Sequence, residues 1–490
     1  MQSIFKIALP VLLAGTISYL VLMLRQLPCQ LGAPVYKAMC YSDILPLFYA
    51  RGLAEGKVPF ISADVEYPVL TGAFMEVTRR ITMMLGGQVG PDVSDAQTAQ
   101  AAAIFVGVNA LLLFVFFMLV LWAHLRLARP WDAMMIAVAP AVMTTGLINW
   151  DFMVLAFTSL GLVSWARKRP IWAGVWLGLG IAAKLYPLLL FVILAVLCFR
   201  SGRLRAFWLA VAGAAGSWVA VNLPVYVLSP SGWLYFWTFN VDRGADLGSI
   251  WYLLSLAGHP IDDVSSAQTV LMVIGTAAIC ALLLLAPRRP RLAQGFLLLM
   301  VWFLIINKVY SPQYVLWLLP FVVLARPRWR DWLIWSAAEL IYFGAIWAHL
   351  DGTLSSGSGG NGLYMASIVV RIAGQLWIAG LVVRWEQTKL SYEALDKIMK
   401  APTDEAMDSA NTGMRDGKVR CPNRLPARAR SRPLLISGAS RRSPQSLKSP
   451  ATNSRASGGT SLRMNSHRRS RTASTGWPSI PKSPSNWNNL

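Results

Sequence analysis

Residues 101–123 read AAAIFVGVNALLLFVFFMLVLWA, a run without one charge. As a helix it is long enough to cross the hydrocarbon core of a bilayer. Nothing constrains the chain more, because backbone placed in lipid must satisfy its own hydrogen bonds, and only helices and closed barrels do so. An earlier run, IFKIALPVLLAGTISYLVLML (4–24), has a lysine near its start. Its apolar core is too long for a cleaved signal peptide and LRQLPC is a poor cleavage site, so it reads as a retained first span. Further apolar stretches follow at 132–148, 152–166, 171–183, 186–199, 207–228, 267–286, 292–306, 313–325, 331–349 and 363–383. Several are short for a span, which a bundle tolerates. The chain is 55% hydrophobic and only 14% charged, with mean hydropathy +0.49; about a quarter of residues are charged in soluble domains, so that class is excluded. The expected fold class is an all-α polytopic membrane protein with about twelve transmembrane helices.

The net charge of +22 looks at first like a nucleic-acid signal, but its placement argues against one. Arginine-rich connections HLRLARPWD (124–132), RKR (167–169), RSGRLR (200–205), PRRPR (287–291) and RPRWR (326–330) all fall on one side if every apolar stretch spans. The positive-inside rule makes that side, and with it both termini, cytoplasmic in a plasma (inner) membrane protein. No nucleic-acid partner is expected; the partners are membrane lipids and whatever the opposite face binds. From Lys418 to Leu490 there is no acidic residue, and Ser, Pro and Arg abound. The expected organisation is a transmembrane domain over 1–390 and a basic, disordered cytoplasmic tail over 391–490. That tail either adheres to anionic lipid or is a dispensable extension.

The opposite face carries different chemistry. Its connections are the long loop 25–100, NWD (149–151), AAKLYP (182–187), a loop over 229–266, NKVYSPQY (307–314) and HLDGTLSSGSGGNG (349–362). Within the first loop, CYSDILPLFYARGL (40–53) places Asp43 ahead of a short interfacial helix. Two readings stand: Ser42 or Asp43 caps that helix, or Asp43 is a general base at the membrane surface. Glu66, in EYPV, supplies a second carboxylate, and Arg51 reads as a structural partner. Lys184, Arg243 and Lys308 lie on the face that lacks arginine clusters. Each alone suits an interfacial snorkelling residue; together they suggest a site for an anionic headgroup, with phosphate the natural candidate. Cys29 and Cys40 fall in the same loop, where an oxidising exterior would let them form a disulfide just ahead of Asp43; the alternative is two free thiols. No Cys or His grouping has metal-ligand spacing, although two outer carboxylates leave open a divalent cation beside phosphate. Neither a phosphate-binding glycine loop nor a nucleophile elbow is present.

Taken together and in order, CYSDILPLFYARGL, VEYPVLTG, INWDFMVLAF, AAKLYPLLL, DRGADLGSIWYLL and NKVYSPQYVLWLLP resemble glycosyltransferase family 87, over about residues 1–390. The resemblance implies a GT-C-like bundle whose long first extracytoplasmic loop carries short interfacial helices. It implies an inverting hexosyltransferase using polyprenyl-phosphate mannose as donor substrate and a glycolipid or polysaccharide as acceptor. Asp43 matches the position of the family's base, and Lys184, Arg243 and Lys308 become candidates for the donor phosphate. Glu66, Trp150, Asp151, Tyr310 and His349 become candidates for binding acceptor or sugar. The rival from another class is a transporter or flippase of a lipid-linked sugar. Transporter sites sit near the bilayer midplane between matching halves, whereas here polar residues gather at one face and the first loop has no counterpart in the second half.

Overall fold

The computed structural model describes residues 2–384 apart from 128, 287, 288, 356 and 358. The expectations for the tail, 391–490, lie outside the described residues. Among the described residues the chain is helical, with no strand and a lone bridge between Pro59 and Ala63. Its first loop and the elements around it comprise α1 (Gln2–Gln30), α2 (Ile44–Ala50), α3 (Val69–Met84) and α4 (Asp95–Leu127). There follow α5 (Met134–Ala137), α6 (Pro140–Thr145), α7 (Asp151–Ala166), α8 (Pro170–Ala183), α9 (Leu189–Arg200) and α10 (Leu204–Leu228). The remainder is α11 (Pro230–Asp242), α12 (Ile250–Leu256), α13 (Val264–Leu285), α14 (Leu292–Ile306), α15 (Val315–Ala325), α16 (Trp329–Leu350) and α17 (Asn361–Val383).

Six helices, α1, α4, α10, α13, α16 and α17, are long and apolar enough to cross a membrane. Shorter apolar helices occupy 151–166, 170–183, 186–200, 292–306 and 312–325. The burial pattern is that of a protein with lipid as solvent: Val270, Val273 and Ile274 on α13 are exposed, while Asp151, Asn109 and Arg371 are fully inside. A water-soluble fold reverses that distribution.

The stretch expected as one segment over 132–148 is instead broken. A 3-10 turn (Pro130–Ala133) leads into α5, and α6 starts afresh at Pro140. Pro140 has no N–H to give and its ring clashes with the carbonyl four residues back, so a single helix cannot run through it. The break releases the chain at Gly146 and lets 147–149 pass beside the first loop. There Ser42 Oγ donates to the Leu147 carbonyl at 2.6 Å and the Asp43 N–H to that of Ile148 at 2.7 Å.

The α8–α10 pair is set by small residues. A Cβ added at Gly174 would lie 1.9 Å from the Ala210 carbonyl oxygen, and one at Gly178 2.4 Å from that of Ala214. Glycines four apart thus let the two backbones touch, the usual means of helix association where lipid removes the hydrophobic driving force. This contact matters for the site because α8 ends at Lys184, its C-cap residue.

Candidate active site

Asp43 is the N-cap residue of α2, yet its carboxylate makes no capping bond. The short helix is capped from one residue earlier, its Ile44 N–H donating to Ser42 Oγ at 3.2 Å. The Asp43 carboxylate is turned inward, 7% exposed, where Oδ2 accepts from the Asn149 amide at 2.8 Å and the Tyr67 hydroxyl at 3.5 Å. Tyr41 also hydrogen-bonds it. Asn149 is itself fixed, its side-chain oxygen accepting the Trp150 N–H at 2.7 Å and its amide also reaching the Tyr67 hydroxyl at 2.7 Å. Burial pushes the Asp43 carboxyl above its ordinary value, and the donors Asn149 and Tyr41, with the charge of Lys184, pull partly back. A carboxylate so placed holds a proton more readily than one in water, which is what a general base requires.

Lys184 enters the same neighbourhood from the end of α8. Its ammonium lies 2.9 Å from Asp151 Oδ1, with both side chains almost wholly buried. Trp317 Nε1 donates to that same oxygen at 2.7 Å. The indole of Trp317 is stacked between Tyr186 and Tyr314, with ring centroids 4.8 and 4.0 Å away. The lysine also sits over the rings of Tyr67 and Trp317, at 5.7 and 5.4 Å. Pairing with Asp151 and facing π-clouds are what make a cation at this depth affordable.

Arg243 lies close enough to Tyr67 and Tyr314 for its charge to interact with both. It is held by Asp246, whose Oδ2 accepts from Nη2 at 2.6 Å and Nε at 3.0 Å. Burial lowers the guanidinium pKa, but Asp246, with Tyr314 and Tyr67, outweighs it and leaves the group above its ordinary value. Glu66 is paired with Arg51 at 2.8 Å, and its charge still acts on Asp43. Tyr67 also borders a narrow apolar cleft of about 10 Å³, lined among others by Phe60, Pro68, Leu185, Trp218, Trp233 and Trp237.

Asp43, Lys184, Asp151, Glu66 and Arg243 are therefore brought into one neighbourhood, with Trp150 edge-on to Tyr67 and the Lys308 charge within reach of Arg243. Trp150 is fully buried and its indole N–H is taken by Asn109 Oδ1 at 2.7 Å, so it braces α4 against the site and offers no face to a sugar. Asp151 is likewise fully buried and occupied by Lys184 and Trp317. Lys308 points its ammonium at the carbonyls of Asn240 and Val241, 3.3 and 3.0 Å away, at the end of α11. Desolvation lowers its pKa. Tyr310 is buried against Glu339 of α16, and His349 is stacked on Tyr364 with centroids 4.0 Å apart. Cys29 and Cys40 are joined as a disulfide, closing the loop that leads into Asp43.

Tyr41, Tyr67, Asn149 and Trp317 were not singled out in the sequence. The signal for Asn149 lies in NWD, where it directly precedes Trp150 and Asp151. Among the described residues no group of three His, Cys, Asp or Glu could hold a metal ion. The donors on Asp43 are an amide and two phenols.

The family model of glycosyltransferase family 87 matches residues 96–312. The matched stretch contains Asn149, Asp151, Lys184, Arg243 and Asp246, and stops short of Trp317. No curated protein matches the chain.

Proposed function

From that match, which makes the chain a membrane glycosyltransferase, we propose that it is an inverting hexosyltransferase acting at the extracytoplasmic surface. Its donor is a polyprenyl-phosphate sugar, mannose by the family resemblance, and its acceptor a glycolipid or polysaccharide. The observation that carries the reading is the Asp43 carboxylate: buried, raised in pKa, excused from capping its helix and held by neutral donors beside a buried lysine.

In this reading the acceptor hydroxyl oxygen attacks C1 of the donor sugar from the face opposite the phosphate. Its proton passes to Asp43 as the new C1–O bond forms. The old bond from C1 to the phosphate oxygen breaks, and its electron pair leaves with the polyprenyl phosphate. Lys184 and Arg243 offset the charge that develops there. Each already has a carboxylate partner, Asp151 and Asp246, which orients the cation and leaves further donor positions for phosphate oxygens. The apolar, aromatic lining beside Tyr67 suits the first isoprene units, which would have to open the narrow cleft to enter it. Lys308 is left to hold the end of α11. No step needs a metal, and none is assigned.

The same reading threads the chain through the membrane twelve times, with α5–α6 and the five shorter apolar segments counted as passes beside the six long helices. It puts Asp43, Lys184 and Arg243 at the outer surface and the arginine loops inside.

The test is transfer of labelled sugar from polyprenyl-phosphate mannose in membranes containing the full chain, beside Asp43→Asn and Glu66→Gln at matched expression. Transfer by the parent chain, lost in Asp43→Asn and largely kept in Glu66→Gln, is the expected outcome. Loss confined to Glu66→Gln moves the base, and a correctly inserted parent chain that transfers nothing removes the donor assignment.

A further inference from the structure

Within α16 and α17 lies a second buried polar cluster that the proposed chemistry does not use. Glu339, Gln375 and Arg371 stand inside apolar helices, 6%, 0% and 0% exposed. Polar and ionisable groups at such positions are costly in lipid and are kept where they do something. Glu339 accepts from the Tyr310 hydroxyl at 2.8 Å through Oε2 and from the Gln375 amide at 2.8 Å through Oε1. Arg371 lies flat on the Tyr310 ring, its guanidinium carbon 3.5 Å from the centroid.

What this cluster grips is backbone. Arg371 Nη2 donates to the Gly248 carbonyl at 3.0 Å, and the Gly248 N–H donates to the Tyr364 hydroxyl at 3.0 Å. Both polar groups of Gly248 are therefore bound to α17 side chains. Gly248 has φ 73°, and a Cβ there would lie 1.9 Å from the Tyr342 hydroxyl and 2.5 Å from the Tyr310 carbonyl oxygen. Only glycine fits, in conformation and in space. The Tyr342 hydroxyl in turn donates to the Tyr310 carbonyl at 2.7 Å. The loop around Gly248 is laced to the loop around Tyr310: the Tyr310 N–H donates to the Leu247 carbonyl at 2.9 Å and the Asp246 N–H to that of Lys308 at 2.8 Å. Two residues before Gly248 is Asp246, the carboxylate that holds Arg243.

We propose that the α16–α17 cluster, through Tyr364 and Arg371 on Gly248, is a positioning post that fixes the height and direction of Arg243 for the leaving phosphate. The inference rests on the phosphate role given to Arg243 above. The post reaches Arg243 by bonded and hydrogen-bonded steps alone: α17 to Gly248, Gly248 to Asp246, Asp246 to Arg243. Tyr364 and Arg371 touch no substrate in this arrangement and act only through the arginine they place. A cation misplaced by about an ångström loses much of its effect on a transition state, on the order of a hundredfold at the extreme.

A double-mutant cycle on the full chain separates this role from a general one in folding. Arg243→Gln, Tyr364→Phe and the pair together are compared by kcat and KM for polyprenyl-phosphate mannose, with thermal unfolding recorded for each. Tyr364→Phe keeps the ring stacked on His349 and removes one oxygen, which accepts the Gly248 N–H and also meets the Tyr342 hydroxyl, so the fold should survive it. Arg243→Gln should lower kcat about a hundredfold and Tyr364→Phe on the order of tenfold, while the pair should be no worse than Arg243→Gln alone. Such non-additivity is the mark of two residues acting through one effect. If the two losses multiply, Tyr364 acts by another route and the post is refuted, although the phosphate role of Arg243 stands. If Arg243→Gln leaves transfer unchanged, the phosphate role falls first and the post has nothing to position. Arg371→Lys gives a second check: a retained charge without the flat guanidinium should behave like Tyr364→Phe, and full activity in that variant would count against the assignment.

Discussion

The Asp43 cluster and the Glu339–Arg371 cluster both bury charge among aromatic rings, and they differ in what supplies the groups. Around Asp43 the partners come from loops and helix ends: Tyr41, Tyr67, Asn149, and Lys184 at the C-cap of α8. Around Glu339 they come mainly from the interiors of α16 and α17, with Tyr310 touching both charged groups. Helix interiors fix a side chain by the packing of a whole element, whereas ends and loops shift when a substrate arrives. One cluster is therefore suited to chemistry and the other to scaffolding. That division predicts different responses to mutation: loss of activity out of proportion to any loss of fold in the first, and graded loss through geometry in the second.

The sharpest break of the comparison is Asp43→Asn. Removing a general base costs about 10²–10⁴ in rate, and label transfer by matched membranes measures it. Stability should move the other way. Because the folded state raises the Asp43 pKa, its contribution to stability is complete below the unfolded value and is lost as pH rises through the folded one. Above the folded pKa the ionised Asp43 costs stability, so at such pH Asp43→Asn should unfold at an equal or higher temperature than the parent chain. An inactive variant that also melts early would place Asp43 among structural residues.

Lys184 tests the cluster from its cationic side. Lys184→Gln leaves Asp151 buried without its ion partner, and breaking a buried pair in this way costs about 3–5 kcal/mol. Adding Asp151→Asn removes the stranded charge, so the double variant should recover most of the stability and none of the activity. Recovery of both would show that the lysine serves only to neutralise Asp151.

A smaller effect is expected from the disulfide. Cys29 and Cys40 are 11 positions apart, and closing so short a loop is worth about 3 kcal/mol against the open chain. The bridge ends three residues before Asp43. The same loop is tied by Arg25 of α1, which donates to the carbonyls of Met39 and Thr144 and, at 3.2 Å, to that of Met143. Because Arg25 joins the loop to α6 independently, Cys40→Ser should lower the melting temperature while leaving much of the transfer activity. Complete loss of activity in a folded Cys40→Ser chain would make the bridge part of the site.

How much of this could be read beforehand depended on contrast. Asp43 and Lys184 stand out because a lone charge beside apolar sequence has few reasons to be there. Asn149 and Tyr67 do not, since amides and phenols are ordinary at membrane interfaces. Glu339 and Arg371 offer the same contrast, a charge in the middle of SAAELIYFG and of IVVRIAGQLW, but an apolar stretch of that length reads as a span and hides the charge within it. Pro140 likewise announced the break between α5 and α6. The partners of Lys308 were illegible: nothing local to INKVY shows that α11 ends within reach of its ammonium. Contacts across 67 or 68 residues are set by packing, and no local pattern records them.

The finest test of the Asp43 shell is its pH dependence. A base must be ionised to accept a proton, so transfer should fall as pH drops through the raised Asp43 pKa, at a higher pH than an ordinary aspartate would give. Asn149 and Tyr41 both lower that pKa by donating to the charged form, so removing either donor leaves burial less opposed. Asn149→Ala and Tyr41→Phe should each move the acid limb of kcat/KM to higher pH, leaving the plateau reduced but present. Asn149→Ala should shift it further, because the amide is the stronger of the two influences and also fixes Tyr67. Variants in the α16–α17 cluster should leave the limb where it is, since that cluster acts on Arg243 and not on the base. An acid limb that moved in Tyr364→Phe and stayed put in Asn149→Ala would invert the division between the two clusters.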